Sequence, residues 1–166
     1  MKTTLFYVVI SLFAFVSMSA VAAQAQTDLS MREALYFTGS KSTQIDLKND
    51  RYVVRGGTMQ LKASDGSNCA GGFCEFNIGF IAFRTGNGDI ALSSYGLLQV
   101  ANGGMTGNTV YFGPSETVRQ GILPLKLKIG MNKVTFTIDP YKKTPETNER
   151  NNSITASFNV ADAGKP

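Results

Sequence analysis

Alternation of apolar and polar residues recurs along the chain and limits the folds that are open to it. In residues 58–64, Met59, Leu61 and Ala63 fall on one face of an extended chain, and polar residues fall on the other. Successive side chains of a strand point to opposite faces, so this period of two predicts strands with one buried and one wet face. Four later runs predict further inward-facing residues: Cys74, Phe76, Ile78 and Phe80; Leu125, Leu127 and Ile129; Val134, Phe136 and Ile138; and Ile154, Ala156, Phe158 and Val160.

Short segments that contain glycine separate these runs, and residues 101–108 form a longer one that we interpret as a loop. No window of ten or more residues has helical periodicity. Many short strands with regular turns therefore predict an all-β fold, an antiparallel β-sandwich. We expect residues 133–138 to pair antiparallel with residues 124–129 through a turn at Gly130. Residues 31–37 are compatible with either a helical turn or a first strand.

The N-terminus has the three-part pattern of a secretory signal peptide. Lys2 precedes an apolar run at residues 5–16, and Ala23 and Ala25 satisfy the small-x-small rule for cleavage after residue 25. The apolar run is shorter than the roughly 20 residues of a membrane span, and no second run of that kind follows. We expect a signal peptide at residues 1–25 and an exported protein, periplasmic or extracellular, that is soluble after cleavage and has no membrane span.

The remaining chain is long enough for one domain with its own core. We assign residues 43–161 to the sandwich and residues 162–166 to a C-terminal tail, while residues 26–42 have no clear assignment. Without Lys2, fifteen basic and twelve acidic residues remain. This mild, scattered positive charge does not favour a nucleic-acid partner.

Two cysteines, Cys69 and Cys74, flank the glycine pair Gly71 and Gly72. An oxidising compartment outside the cytoplasm allows the two cysteines to pair, and the glycines allow a tight loop to close. The alternative is a redox or metal site. With no histidine and only two thiols, a closed zinc site lacks ligands, so we predict a structural disulfide between them, worth roughly 2 kcal/mol.

The most distinctive motif lies near the C-terminus. A glycine turn leads into a strand that ends at an aspartate, and a Glu-x-Asn-Glu-x-Asn-Asn segment then precedes a final strand. This pattern resembles the CARDB family of immunoglobulin-like domains from bacterial cell-surface and exported proteins. The resemblance covers residues 130–160, and it implies an immunoglobulin-like β-sandwich and a role in adhesion or extracellular assembly. The matching positions are Gly130, Asp139, Glu146, Asn148, Glu149, Asn151 and Asn152.

Three interpretations of the polar loop remain open. Asparagines and carboxylates can accept bonds from backbone N–H groups and so shape a turn, which is the interpretation that we favour. We expect Glu149 and Asn152 to reach such N–H groups. A calcium site is the alternative, since oxygen ligands suit a hard cation, but the spacing is not that of an EF-hand. A catalytic carboxylate pair would need a sugar cleft that nothing else indicates. The weak calcium candidates are Asp139, Glu146, Asn148, Glu149 and Asn152.

We therefore predict no catalytic residues, metal or cofactor, and a non-catalytic interaction module that binds a protein or glycan partner outside the cytoplasm. Without histidine, the chain has no Ser-His or Cys-His pair for nucleophilic catalysis. The alternative is a carbohydrate-binding module, with Tyr95, Tyr111 and Phe112 as candidate stacking residues. The outward faces of the last two strands predict a polar sheet surface formed by Thr135, Thr137, Thr155, Ser157 and Asn159, flanked by Lys126, Lys128 and Lys133.

Overall fold

The structure, a computed structural model, describes residues 27–39, 43–86, 94–100, 105–110 and 116–162, with the backbone alone for residues 94–100 and 105–110. The expected signal peptide lies outside these residues, as do Tyr111 and Phe112. Most of the described residues lie in strands, and one 3-10 turn, Ala63–Asp65, follows the fourth strand. The strands are β1 (Asp28–Met31), β2 (Ala34–Phe37), β3 (Arg51–Val54), β4 (Thr58–Lys62), β5 (Ser67–Ala70), β6 (Phe73–Thr85), β7 (Ser94–Val100), β8 (Met105–Val110), β9 (Val118–Lys128), β10 (Gly130–Ile138) and β11 (Ser153–Ala161).

The strands form two sheets, which confirms the predicted all-β fold class. In the six-stranded sheet, the long strand β6 pairs with β9 on one side and with β5, β2 and β1 on the other, and β3 lies outside β2. The five-stranded sheet has the order β4-β11-β10-β7-β8. One pair departs from the antiparallel expectation, because β4 and β11 run parallel.

The core lies between the sheets and is built from the predicted alternating faces. All of the predicted inward-facing residues are buried except Ile129, which is partly buried and packs against the core. Phe80 of β6 stacks on Phe136 of β10, with ring centroids 3.9 Å apart, and so joins the two sheets at the centre. Burial of such rings from both sheets supplies most of the hydrophobic stabilisation of a sandwich.

The predicted hairpin through Gly130 is wrong. β9 pairs with β6, whereas β10 pairs with β11 and β7 in the other sheet. The chain crosses between the sheets at Gly130, whose φ of +98° is a left-handed conformation that favours glycine. Alternation shows which face of a strand is buried, but the two sheets of a sandwich have the same alternation, so the pattern could not show which strand is the neighbour.

Asn132 holds this crossing in place, although it is polar and only 1% exposed. Its Oδ1 accepts a hydrogen bond from the N–H of Lys128 at 3.0 Å. Its Nδ2 donates to the carbonyls of Lys128 and Gly130, each at 2.9 Å, and to that of Phe158 at 3.3 Å. The side chain therefore binds backbone groups on both sides of the crossing, at the end of β9, at the start of β10 and in the neighbouring strand β11.

Two strands, β1 and β2, lie in the N-terminal segment that had no clear assignment. Of the two interpretations of residues 31–37, the strand is confirmed, although Met31 ends β1 and Ala34–Phe37 forms β2. Both strands precede residue 43 and belong to the six-stranded sheet. The loop interpretation of residues 101–108 is wrong for its second half, since β8 begins at Met105.

The polar face of the last two strands is present, and its side chains bond to one another. The hydroxyl oxygens of Thr135 and Thr155 are 2.8 Å apart, and those of Thr137 and Ser153 are 2.9 Å apart. Two of the three lysines that were expected to flank this face do not lie beside it. Lys126 and Lys128 lie on β9 in the opposite sheet, so only Lys133 accompanies this face.

The outer face of the six-stranded sheet carries a second apolar cluster, over which Ile45 packs. Ile45 of this segment lies over Gly79 of β6, where a Cβ atom would approach Cγ1 of Ile45 to 2.8 Å. The cluster consists of Ala34, Tyr36, Ile45 and Ile81, with Phe83 and Ile122 packed against it. This covered face lies beside the exposed residues of β3 described below.

Across the described ranges, no helix has the length and apolar character that would be needed to cross a membrane.

Candidate functional site

The predicted disulfide is present between Cys69 of β5 and Cys74 of β6. Cys74 is buried in the core, whereas Cys69 lies on the exposed hairpin. Gly71 and Gly72 form the tight turn between the two strands, with φ values of +59° and +80°. The bond ties the hairpin to the core at the end of the sandwich where β9 crosses to β10.

Asp139 shapes the start of the polar loop. It is 2% exposed, and its own φ of +47° turns the chain at the end of β10. Its Oδ1 accepts the N–H of Lys143 at 3.0 Å, and its Oδ2 accepts the N–H of Thr144 at 2.7 Å. Both carboxylate oxygens therefore bind backbone groups of the turn that follows, as expected for a loop-shaping aspartate.

Glu146 joins the polar loop to the first strand. Its Oε2 accepts the N–H of Leu29 in β1 at 2.7 Å, across 117 residues of sequence. Its Oε1 accepts Nδ2 of Asn152 at 2.9 Å. Beside it, Thr147 donates its N–H to the carbonyl of Thr27 at 3.2 Å. One carboxyl group thus connects β1, the loop and the start of β11.

Burial away from water raises the pKa of Glu146 to about 7, and the neighbouring carboxylates of Glu149 and Asp139 act in the same direction. The N–H groups of Leu29 and Asn152 favour the ionised form and oppose the shift. An ionised Glu146 accepts Nδ2 of Asn152, and a protonated one can donate to Oδ1 of Asn152 once that amide rotates. Oδ1 of Asn152 has no hydrogen-bond partner within the described residues, so the rotation replaces the bond from Nδ2 with one to Oδ1 and breaks no other bond of Oδ1.

A second set of contacts ties the same loop to β1 through Asp28. Its Oδ1 accepts the N–H of Asn148 at 3.1 Å, and its Oδ2 accepts Nδ2 of Asn151 at 2.8 Å. Asn148 also accepts the N–H of Arg150 at 3.1 Å, which tightens the turn. Asp28 was not expected from the sequence, since it lies outside the loop motif and more than a hundred residues away from it.

The expected roles of Glu149 and Asn152 are wrong in detail. Glu149 lies 3.8 Å from Nζ of Lys142 in an ion pair and is not the acceptor of the buried N–H groups. Asn152 is 3% exposed and donates to Glu146, while its backbone carbonyl accepts the N–H of Ile138. Among the loop's own carboxylates in the described residues, Asp139 and Glu146 accept backbone N–H groups, while Asp28 of β1 accepts that of Asn148.

The hydrogen bonds of the polar loop limit which of its oxygen atoms could bind a metal ion. Within the residues that the structure describes, no three or more histidine, cysteine, aspartate or glutamate side chains are grouped to hold a metal ion. Both oxygens of Asp139 and both oxygens of Glu146 accept N–H groups, so they face donors. Chemically, the loop is arranged to fix β1 and to exchange one proton near neutral pH.

A different surface stands out on the edge strand β3. Tyr52 is 61% exposed and Val54 is 53% exposed, and both lie on the outer face of the sheet with Leu47, which is 50% exposed. We call these three residues the Tyr52 surface. They surround a shallow cavity of about 350 Å³, whose other lining residues are Arg32, Glu33, Ala34 and Tyr36.

Polar groups border the Tyr52 surface. Arg55 and Glu33 form an ion pair at its edge, and hydrogen bonding to Arg55 lowers the pKa of Glu33. The rings of Tyr36 and Tyr52 are tilted with centroids 6.1 Å apart, and burial raises the pKa of Tyr36. Sequence reasoning missed this surface. The run from Arg51 to Val54 is rich in strand-forming residues, but its exposure follows from its place at the sheet edge.

The three aromatic residues that were candidates for sugar stacking cannot be placed on a surface. Tyr95 lies in β7, of which the structure describes the backbone, and Tyr111 and Phe112 lie outside the described residues. The carbohydrate-binding alternative therefore stays a prediction.

Solved structures that are similar to this chain include two of one protein domain. The solution NMR structure of the CARDB domain of PF1109 from Pyrococcus furiosus has a TM-score of 0.47 and 16% sequence identity, and the match covers 82% of this chain and 96% of that one. The crystal structure of the same domain, described as a complex with di-metal ions, has a TM-score of 0.42 and 14% identity, covering 84% and 90%. No protein-family model matches the chain. No curated protein matches it either. Both structures are CARDB domains, the family that the C-terminal motif resembles; at this identity the likeness concerns the fold alone.

Proposed function

We propose that this protein is an exported, non-catalytic interaction module that binds a protein partner through the Tyr52 surface. The observation that carries the proposal is the exposure of Leu47, Tyr52 and Val54 together at one sheet edge, each at least half exposed. Single exposed apolar residues are common on protein surfaces, but grouped ones beside a cavity are typical of interaction sites.

The composition of this surface fits a protein partner. Tyrosine and arginine are enriched where binding energy is concentrated, and a rim of charged residues around an apolar centre is the usual arrangement of such interfaces. Here the ring of Tyr52 is the centre, and Arg32, Arg55 and Glu33 supply the rim. The ring of Tyr36, which is 3% exposed, lies beside that of Tyr52 on the neighbouring strand, and this buried neighbour reduces the ordering that Tyr52 needs on binding.

The proposal is tested by site-specific photo-crosslinking in the cell that exports the protein. A photoreactive residue replaces Leu47 in one variant and Lys126, which is exposed on β9, in a control variant. We expect a discrete crosslinked product from position 47 and none of that size from position 126. Adding Val54→Lys, which places a charge in the surface, should abolish the product from position 47.

Two results would contradict the proposal. One is an identical set of products from both positions, which would indicate random collision. The other is a product from position 47 that Val54→Lys leaves unchanged. The export part is tested separately, by N-terminal sequencing and intact mass of the protein from outside the cytoplasm. We expect a chain that begins at Gln26 and retains the disulfide, whereas an uncleaved chain in the cytoplasm would exclude export.

A further inference from the structure

The backbone of β3 has one side paired and one side open. Residues 33 and 55 are a hydrogen-bonded pair, since the N–H of Arg55 donates to the carbonyl of Glu33 at 3.0 Å. In an antiparallel ladder such pairs alternate with pairs whose N–H and C=O groups point outward. Tyr52 lies opposite Tyr36 and is an outward-pointing position by this count.

The ladder between β2 and β6 agrees with this assignment. Thr38 donates its N–H to the carbonyl of Asn77, and Tyr36 lies opposite Gly79. Tyr36 therefore directs its backbone groups at β6, away from Tyr52. The N–H and C=O of Tyr52 point to the open side of β3, and no other described strand pairs with that side.

We propose that the partner binds as an extended polypeptide segment that adds a strand to the open edge of β3. This inference rests on the proposed function and specifies its partner. The N–H and C=O of Tyr52 would exchange two hydrogen bonds with one residue of the segment, and strand addition of this kind draws its affinity from the main chain. Exposed side chains of Tyr52 and Val54, two residues apart on one face, would contact alternate side chains of the segment.

Two features of the open edge of β3 are compatible with a partner segment that binds and dissociates. β3 has only four residues, so the segment gains few backbone bonds, and a short edge also limits uncontrolled aggregation. On the inner side, Arg51 is held by the carbonyl of Gln60 at 3.2 Å and by Asp65 at 2.8 Å. These bonds keep the first residue of the edge strand in place, so the strand is already formed before a segment arrives.

The test uses the mature protein with its disulfide intact and a display library of random linear peptides as the probe. The tightest selected peptide is then resynthesised with a single N-methyl group at each position in turn. Strand addition predicts a tenfold or greater loss of affinity at every second position of the contacting stretch and little change at the positions between. Only alternate N–H groups of an added strand point at β3.

Two variants of the protein complete the test. Tyr52→Ala removes the ring and keeps the edge N–H, whereas Tyr52→Pro removes both and leaves the pairing with β2 intact. We expect Tyr52→Pro to bind the peptide about tenfold more weakly than Tyr52→Ala does. Circular dichroism checks that both variants are folded, and the N-methyl series does not depend on any variant.

Equal binding by folded Tyr52→Pro and Tyr52→Ala would overturn the proposal, as would an N-methyl series without a period of two. Dimerisation of the free protein that Tyr52→Pro abolishes would also overturn it, because the occupant would then be a second copy of this chain. Failure of strand addition is distinguishable from failure of the proposed function. A crosslinked product from position 47 that Val54→Lys abolishes would still support binding at the Tyr52 surface, even if the N-methyl series showed no period of two.

Discussion

Gly121 of β9 lies opposite Phe80 of β6, and a Cβ atom on Gly121 would lie 2.3 Å from Cζ of Phe80. The ring of Phe80 fills the space that a side chain at position 121 would need. It also stacks on Phe136 of the facing sheet, so the missing side chain of Gly121 allows the contact that joins the two sheets at their centre.

Replacing Gly121 with alanine should therefore strain the core. Overpacking of this kind typically costs 1–3 kcal/mol, and the short distance to a ring carbon places Gly121→Ala near the upper end, at about 2–3 kcal/mol. Urea unfolding followed by circular dichroism measures the change. Phe80→Leu removes the ring, so adding Gly121→Ala to Phe80→Leu should cost much less than it does in the wild type. Equal costs in the two backgrounds would show that the ring is not the cause.

The stability of the protein should depend on pH through Glu146. Its pKa is about 7 in the folded chain and close to 4.5 in the unfolded chain, so between these values the folded state binds more protons. Stability must then fall as the pH rises from about 4.5 to 7, and the loss persists above 7. Since the carboxyl is partly exposed and screened by solvent, we expect about 1–2 kcal/mol less stability at pH 8 than at pH 5.

Glu146→Gln is the matched variant for this effect. A glutamine accepts the N–H of Leu29 and donates to Oδ1 of Asn152 after that amide rotates, so it keeps the bonds and removes the titration. We expect the stability of Glu146→Gln to show no fall between pH 5 and pH 8. Glu149→Gln removes a charge that raises the pKa of Glu146, so the fall in stability should occur at lower pH in this variant. The chain contains no histidine that would titrate in this range.

Asn132→Ala should destabilise the crossing between the sheets. It removes four hydrogen bonds and leaves the N–H of Lys128 without its acceptor in a buried site, so we expect a loss of about 3 kcal/mol. Asn159→Ala is the control. Asn159 lies on the outer face, where it bonds to Gln60, and its replacement should cost no more than about 0.5 kcal/mol. Similar costs at the two positions would contradict this role of Asn132.

The disulfide gives a prediction that can be checked without mutation. Alkylation followed by intact mass should find no free thiol in protein purified from outside the cytoplasm. Reduction should lower the free energy of unfolding by about 2 kcal/mol, as the chain-entropy model gives for so short a loop. Cys69→Ala with Cys74→Ala should cost slightly more, because Cys74 also packs in the core. Two labelled cysteines in freshly purified protein would show that the pair is not oxidised in the cell.

The buried faces of the strands could be predicted from the sequence because a period of two follows directly from strand geometry. Phe136 and Phe158, for example, were identified as core residues from their neighbours alone, and both are fully buried. Pairing could not be predicted in the same way. Residues 124–129 and 133–138 have the same alternation whether they share a sheet or face each other, so the neighbour of each strand depends on the rest of the chain.

The candidate site was predictable only in part, because its geometry depends on distant residues. Spacing placed Glu146 and Glu149 in one polar loop, but it could not show which of them faces β1. In the structure Glu146 faces β1, because it accepts the N–H of Leu29. Likewise, nothing within the run that contains Tyr52 shows that β3 would be an edge strand, since that depends on which strands the rest of the chain places beside it.

The parallel pairing of β4 with β11 has a consequence for the order of folding. Asn159 bonds to Gln60 across 99 residues of sequence, and β11 lies between β4 and β10 in its sheet. β4 therefore has no strand beside it until residues 153–161 have been synthesised. Contacts so distant in sequence are slow to form. The chain should therefore acquire its protease resistance in a late step, when the last strand enters the middle of the five-stranded sheet.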